Sequence, residues 1–200
     1  MNLEENKSLF THWSGTYDWA PFQFWMRRFQ LPVLREVDFA GGGKLLDVGC
    51  GTGELLKALE HKDKEHRLML SGVDLSPEML AKAQKKLSSS VTLAEGDVHQ
   101  LSFREGTFDY VASTEAFHHY GDQSWALGEM KRVVKKEGKI IVVDINFFLR
   151  LIHRLFERFE PGCQKVNSRK EMRALFEQAG LQEIRQERSF LFAVMTVGRK

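Results

Sequence analysis

The chain has 200 residues, 29 basic and 27 acidic side chains giving a formal net charge of +2, and 42% hydrophobic residues. That length buries roughly 70% of the unfolded surface without a disulfide or metal staple, and the two cysteines, Cys50 and Cys163, make neither a disulfide framework nor a ligand cluster. Net charge alone predicts no strong field for nucleic acid. No apolar run approaches the ~18 residues of a membrane span, and Met1–Leu9 lacks a signal-peptide core, so a cytoplasmic protein without stable membrane insertion is expected.

Residues 1–40 are dense in aromatics: Phe10, Trp13, Tyr17, Trp19, Phe22, Phe24, Trp25 and Phe29. They predict one or two helices capping the rest of the chain, either as core or as a lid over a ligand, since a lid must itself pack when closed. From Lys44 strands and helices alternate. Lys44–Val48 reads as a strand, followed by glycines at 49, 51 and 53 and a helix from Glu54 to about His61. Leu68–Val73 is a second strand ending at Asp74, with Ser76 as N-cap and Pro77 as first residue of a helix reaching about Leu87. Val91–Ala94 and Phe108–Ala112 are strands three and four. Trp125–Lys135 reads as a helix stopped by Gly138, and Lys139–Val143 as strand five. Unbroken apolar strands separated by helices predict an α/β, doubly wound parallel sheet with helices on both faces.

Asn146–Glu160 is an amphipathic helix with Arg150, His153, Arg154 and Arg158 on its polar side. It either packs over the sheet, lies on a membrane or forms a dimer seam. Ser168 caps a helix over Glu171–Ala179 that Gly180 ends, and Gln182–Glu187 and Phe190–Val197 read as a hairpin turning at Arg188–Ser189.

The chemistry gathers at the strand ends. Glycine lets backbone approach a ligand closely, and the following helix start offers unpaired N–H groups. The third glycine stands one residue early for a dinucleotide fingerprint, and Glu54 sets a carboxylate where a diphosphate would lie. Both features disfavour a nicotinamide-dependent oxidoreductase. Asp74 faces the same crevice and can accept both hydroxyls of a ribose. Asp97 with the Val98 N–H offers an acceptor and a donor to a purine edge, and Leu75 and Met79 offer apolar faces to its ring.

In this order LLDVGCGTG, GVDLSPEML, EGDV, FDYVASTEAFHHY and GEMKRVV resemble the class I S-adenosylmethionine-dependent methyltransferases, most closely the small-molecule group that includes quinone-biosynthesis enzymes. The resemblance runs from about Lys44 to Val143 and loosely beyond. It implies a Rossmann-like, seven-stranded, mostly parallel sheet with one antiparallel strand. It also implies S-adenosyl-L-methionine as cofactor, with S-adenosyl-L-homocysteine as product, and no metal. Gly49, Cys50, Gly51 and Gly53 match the glycine loop, and Asp47 the acid at the methionine end. Asp74 matches the ribose acid, with Leu75 and Met79 near adenine, Asp97 and Val98 match the adenine edge, and Thr114 the position whose backbone meets the methionyl part. The usual Pro-Gly-Gly turn before strand five is here Lys136-Glu137-Gly138-Lys139, away from the site. The domain expected is single: cap 1–40, cofactor-binding core 41–145, and 146–200 with the amphipathic helix, a further helix and the closing strands.

A bound sulfonium makes its methyl group electrophilic, so the enzyme aligns a nucleophile and, where needed, removes a proton. His118 and His119 are the candidates, His118 the better one because Ala116-Phe117-His118 leads toward the crevice. The alternative is that the pair only holds the loop. The Asn/Asp-Pro-Pro motif of base N-methylation and the Pro-Cys motif of cytosine chemistry are absent, the acid cluster of metal-assisted catechol methylation has only a weak echo in Asp144 and Asn146, and no basic aromatic groove suggests RNA. The expected partner is a small, partly apolar methyl acceptor chosen by residues 1–40 and the segment after strand five. A non-catalytic cofactor-binding sensor or partner of another enzyme is the alternative.

Overall fold

The computed structural model describes residues 20–147 and 149–200. Its elements follow in the order α1 (Ala20–Glu36), β1 (Gly43–Val48), α2 (Glu54–Lys62), β2 (Leu68–Asp74), α3 (Pro77–Lys86), β3 (Thr92–Glu95), β4 (Phe108–Thr114), α4 (Gln123–Val133), β5 (Val134–Ile145), α5 (Arg150–Phe159), α6 (Arg169–Gln178), β6 (Gln182–Phe190) and β7 (Ala193–Arg199), with 3-10 turns at Val98–Gln100 and Phe117–His119. The strands form one seven-stranded sheet ordered β3-β2-β1-β4-β5-β7-β6, in which β7 alone runs against its neighbours β5 and β6.

Leu45 and Leu46 show why the apolar runs are unbroken. Both are fully buried, but they belong to different cores on the two sides of β1. Leu45, Ile141 and Val143 pack under α1 and α2 with Phe29, Val33, Leu55 and Leu59. Leu46, Ile140 and Val142 pack under α4 and α6 with Leu127, Met130 and Phe176. Each such side chain contributes about 1.5–3 kcal/mol relative to an exposed one.

The caps match the expectations. Ser76 Oγ accepts from the Met79 N–H at 3.2 Å behind Pro77, and Ser168 with Glu171 forms a capping box at the start of α6. In α1, Phe29, Val33 and Val37 are buried at helical spacing, and Glu36 receives Lys139 at 3.2 Å and Arg185 at 2.8 Å. From Phe29 onward the expected cap is part of the core. The expectation for Phe10 to Trp19 lies outside the described residues.

Three boundaries differ by more than two residues, the first being the amphipathic helix expected from Asn146, which starts at Arg150. The helix expected to reach Lys135 ends at Val133, and β5 begins at Val134, which pairs with Phe108. Gly138 is a crowded point inside the strand, where a Cβ would lie 2.7 Å from Val134 Cγ2, next to Glu137 at φ +64°. The hairpin turns at Leu191–Phe192, not Arg188–Ser189. Arg188 stays in β6 because its guanidinium donates to Asn146 O at 2.9 Å, Asn146 Oδ1 at 2.7 Å and Leu191 O at 2.8 Å.

Candidate active site

The C-terminal ends of β1 to β4 open into one cavity, at the crevice where the strand order reverses. The loop after β1 is held from behind. The Gly49 and Cys50 N–H groups donate to the Val73 carbonyl at 2.9 and 3.0 Å, and the Tyr120 hydroxyl donates to the Val48 carbonyl at 3.0 Å. Gly49 and Gly51 both take left-handed backbone, φ +70° and +51°. A Cβ at Gly49 would lie 2.7 Å from the Ala116 Cβ and 2.9 Å from the Tyr120 hydroxyl, whereas one at Gly51 would meet nothing within 4 Å. Gly49 is a packing glycine. Gly51 leaves bare backbone facing the cavity.

Asp47 is 1% exposed and lines the cavity, and its Oδ1 has no hydrogen-bond partner among the described residues. Burial, with the Asp74 charge adding, pushes its carboxyl well above the usual carboxylate range. Such an oxygen suits a ligand that brings a cation or a donor. Asp74 accepts from the Gly51 N–H at 2.7 Å and the Ser76 N–H at 2.9 Å, and burial raises its pKa despite these bonds. The Leu75 N–H also faces this carboxylate, which has about four acceptor positions, so capacity remains for a ribose hydroxyl. Asp97 Oδ1 accepts from the His99 N–H at 2.9 Å and meets His99 Nδ1 at 2.7 Å.

Of the residues expected at the cofactor, Asp47, Gly49, Cys50, Gly51, Asp74, Leu75, Met79, Asp97, Val98 and Thr114 line this cavity. Gly53 does not. A Cβ there would strike Leu87 Cδ1 at 2.9 Å and Ala83 Cβ at 3.0 Å, so Gly53 seats the start of α2 against α3. The Cys50 thiol is pushed well up by burial, then by Asp74 and Asp47, so the residue offers backbone rather than thiolate. Glu54 lines the cavity but pairs with Lys86 at 2.7 Å, which removes most of the repulsion expected between it and a diphosphate. What disfavours a diphosphate is the buried Asp47 carboxyl in the cavity, whose unpartnered oxygen calls for a cation or donor.

The histidine pair divides between two sides. A 3-10 turn advances three residues per revolution, so its successive side chains point three ways. Phe117 enters the core, His118 meets Asp144 with Nδ1 2.6 Å from Oδ1, and His119 lines the cavity. His118, expected as the proton acceptor, is 1% exposed and does not line the cavity. Burial works against its charge, but the charge and hydrogen bond of Asp144 outweigh that, and its pKa is raised. His119 is pushed down to about 3 by burial and by His118, so it is neutral across the physiological range. Glu115, at φ +53°, also lines the cavity, and burial lifts its carboxyl to about 8 against the opposing pull of His118. Gln30 of α1 and Tyr120 complete this side. The signal for Gln30 was a polar residue three and seven positions before Val33 and Val37, on their helical face; Glu115 and Tyr120 flank the histidines in one run.

A methyltransferase-domain family profile matches residues 46–142, the segment that carries this cavity from β1 through β5. The chain belongs to the class I S-adenosylmethionine-dependent methyltransferases. It is 31% identical over 147 residues to the demethylmenaquinone methyltransferase of Shouchella clausii, covering 69% of this chain and 62% of that relative's length. With the demethylmenaquinone methyltransferase of Bacillus cereus it shares 29% identity over 197 residues, 84% of this chain and 82% of the relative. A chain from a Haloferax volcanii complex that contains the Trm112 methyltransferase activator superposes with a TM-score of 0.82 at 22% identity, covering 95% of this methyltransferase and 96% of that chain, and shows the shared fold. Among the described residues no group of three or more His, Cys, Asp or Glu is placed to hold a metal ion, and no helix is long and apolar enough to cross a membrane.

Proposed function

We propose that this methyltransferase transfers the methyl group of S-adenosylmethionine to a small, uncharged, partly apolar acceptor. The observation that carries this reading is the character of the cavity wall beyond the glycine loop: a neutral imidazole at His119, a protonated carboxyl at Glu115, the amide of Gln30, and no lysine or arginine among the described residues. Such a wall has no counter-ion for a phosphorylated acceptor. The demethylmenaquinone methyltransferases among its relatives support an acceptor of quinol type.

In this reading Asp47 and the backbone of Gly49 to Gly51 hold the amino-acid end of the cofactor, Asp74 the ribose hydroxyls, and Asp97 with the Val98 N–H the adenine edge, between Leu75 and Met79. The orphaned Asp47 oxygen and the open backbone at Gly51 fit a ligand with an ammonium group and no diphosphate. When bound, the cofactor supplies an electrophilic methyl carbon. The protein aligns the acceptor against it, and His119, whose pKa of about 3 makes it too weak a base to take a proton, offers a neutral ring at the cavity wall that orients a hydroxyl acceptor. Tyr120 and Asp144 hold the supporting loop and His118.

The experiment is calorimetric titration with S-adenosylhomocysteine, followed by a turnover assay with neutral quinols and phosphorylated amines as competing acceptors. Binding together with methylation of the quinols is expected. Absence of binding, or turnover confined to the phosphorylated acceptors, overturns the reading.

A further inference from the structure

We propose that the outer face of α5 docks the enzyme onto the surface of an anionic lipid bilayer. The helix carries a continuous apolar arc that the fold leaves uncovered among the described residues. Leu151 is 67% exposed, Ile152 38%, Leu155 47% and Phe159 73%, and Leu149 just before the helix is 61% exposed. Soluble surfaces scatter such residues singly, and a contiguous group marks an interaction site. The opposite side is the packed one: His153 is buried, Phe156 stacks near Phe147 at 5.3 Å between ring centres, and Glu157 accepts the Val166 N–H at 2.9 Å.

The identity of the occupant follows from charge. Arg150, Arg154 and Arg158 recur every four residues in a row beside the apolar arc, all exposed; Arg154 and Arg158 form no ion pair among the described residues, and Arg150 lies close enough to Glu171 to help lower its pKa. Arg150 and Arg154 also share a surface groove with Arg169 and Lys170 from the start of α6. The nearby acids are engaged inward or with other groups: Glu157 accepts the Val166 N–H, Glu160 acts on His118, and Glu171 closes the Ser168 capping box beside Lys165 and Arg150. An apolar arc flanked by a row of exposed arginines on a short helix matches the boundary between acyl chains and anionic headgroups. A second copy of the chain fits less well. An antiparallel two-fold contact would face the arginine row with itself. A helix about 15 Å long and about 10 Å across also offers far less area than the ~800 Å² per partner of a stable interface.

This inference goes beyond the functional reading and does not depend on it. Its geometric link to the site is short: Phe156, on the inner side of α5, lies 6.0 Å from the ring of His118, whose neighbour His119 lines the cavity. A bilayer under α5 therefore lies beside the acceptor side of the site.

The test is co-sedimentation of the full chain, without cofactor or acceptor, with vesicles of phosphatidylcholine and with vesicles of three parts phosphatidylcholine to one part phosphatidylglycerol. Binding to the anionic vesicles at least about tenfold tighter than to the neutral ones is expected, falling steeply with salt. Leu151→Asn with Leu155→Asn, and separately Arg154→Gln with Arg158→Gln, should each reduce binding by about tenfold or more while the affinity for S-adenosylhomocysteine stays unchanged. Three results overturn the proposal: wild-type binding by the leucine variant, a concentration-dependent dimer that this variant abolishes, or a Leu155→Cys thiol that maleimide fails to label in free solution because the chain itself covers the face. Failure of methyl transfer leaves all of these readouts intact.

Discussion

His118 Nδ1 lies 2.6 Å from Asp144 Oδ1, and both side chains are buried directly behind the imidazole that faces the cavity. The ring of His119 stands 4.0 Å from that of His118, so the pair positions the wall of the site without touching the cavity. The folded-state pKa of His118 is raised. Stability from this contact is therefore fully present below the unfolded value of about 6.5 and is lost as pH rises through the folded value. Asp144→Asn should lower unfolding free energy by about 1.5–3 kcal/mol at pH 6, because His118 sheds its proton rather than remain an uncompensated charge. The loss should shrink at pH 9. Urea unfolding at the two pH values measures it, and an equal loss at both would exclude a charged pair.

Asp47 predicts a proton balance. Burial and Asp74 hold its carboxyl well above the usual range when no cation faces it, so an ammonium group arriving in the cavity should drive a proton off. Affinity for S-adenosylhomocysteine should rise with pH up to the raised folded-state value. Calorimetry in two buffers of different ionisation enthalpy should show net proton release. Asp47→Asn should reduce that release and weaken binding by about 1.5–3 kcal/mol, roughly tenfold to a hundredfold. Proton uptake on binding would contradict the assignment.

Gly49 and Gly51 separate packing from ligand contact. Gly49→Ala meets Ala116 and Tyr120 at under 3 Å and should destabilise the fold by about 1–3 kcal/mol from overpacking, in addition to backbone strain. Gly51→Ala meets no atom within 4 Å, so its stability cost should stay near the about 1–2 kcal/mol of left-handed backbone. Its added methyl, however, occupies the bare backbone that faces the cavity. Thermal unfolding and calorimetry on both variants should show the larger stability loss at Gly49 and a loss of cofactor affinity at Gly51 with the fold retained.

The parallel strands were legible because burial on both faces leaves runs such as Ile140–Val143 without polar interruptions, and the caps because Ser76-Pro77 and Ser168 act through neighbours two or three residues away. The cavity acids were legible because strand ends in a doubly wound sheet converge whatever the helices do. What escaped depended on distant partners. Val134 joins β5 because it pairs with Phe108, and Arg188 stays in its strand because Asn146 accepts its guanidinium. Lys86 neutralises Glu54 from 32 residues away. The choice between His118 and His119 turned on a 3-10 turn, whose three-residue period decides which ring faces the cavity and which faces Asp144.

Glu115 gives the sharpest pH dependence. Its folded-state pKa of about 8 stands above that of an unfolded glutamate, about 4.3. Below the lower value both states hold the proton and the residue has no pH effect. Between the two values the unfolded chain ionises while the buried side chain does not, so stability falls as pH rises, and the loss levels off above about 8. Glu115→Gln keeps the shape and removes the ionisation. It should match the wild type near pH 4 and exceed it progressively toward pH 8, flattening the slope to what His118, Asp47 and Asp74 then set. Denaturant unfolding across this range measures the difference. An unchanged slope in the variant would mean that Glu115 is ionised in the folded enzyme, and the protonated carboxyl assigned to the acceptor wall would have to be withdrawn.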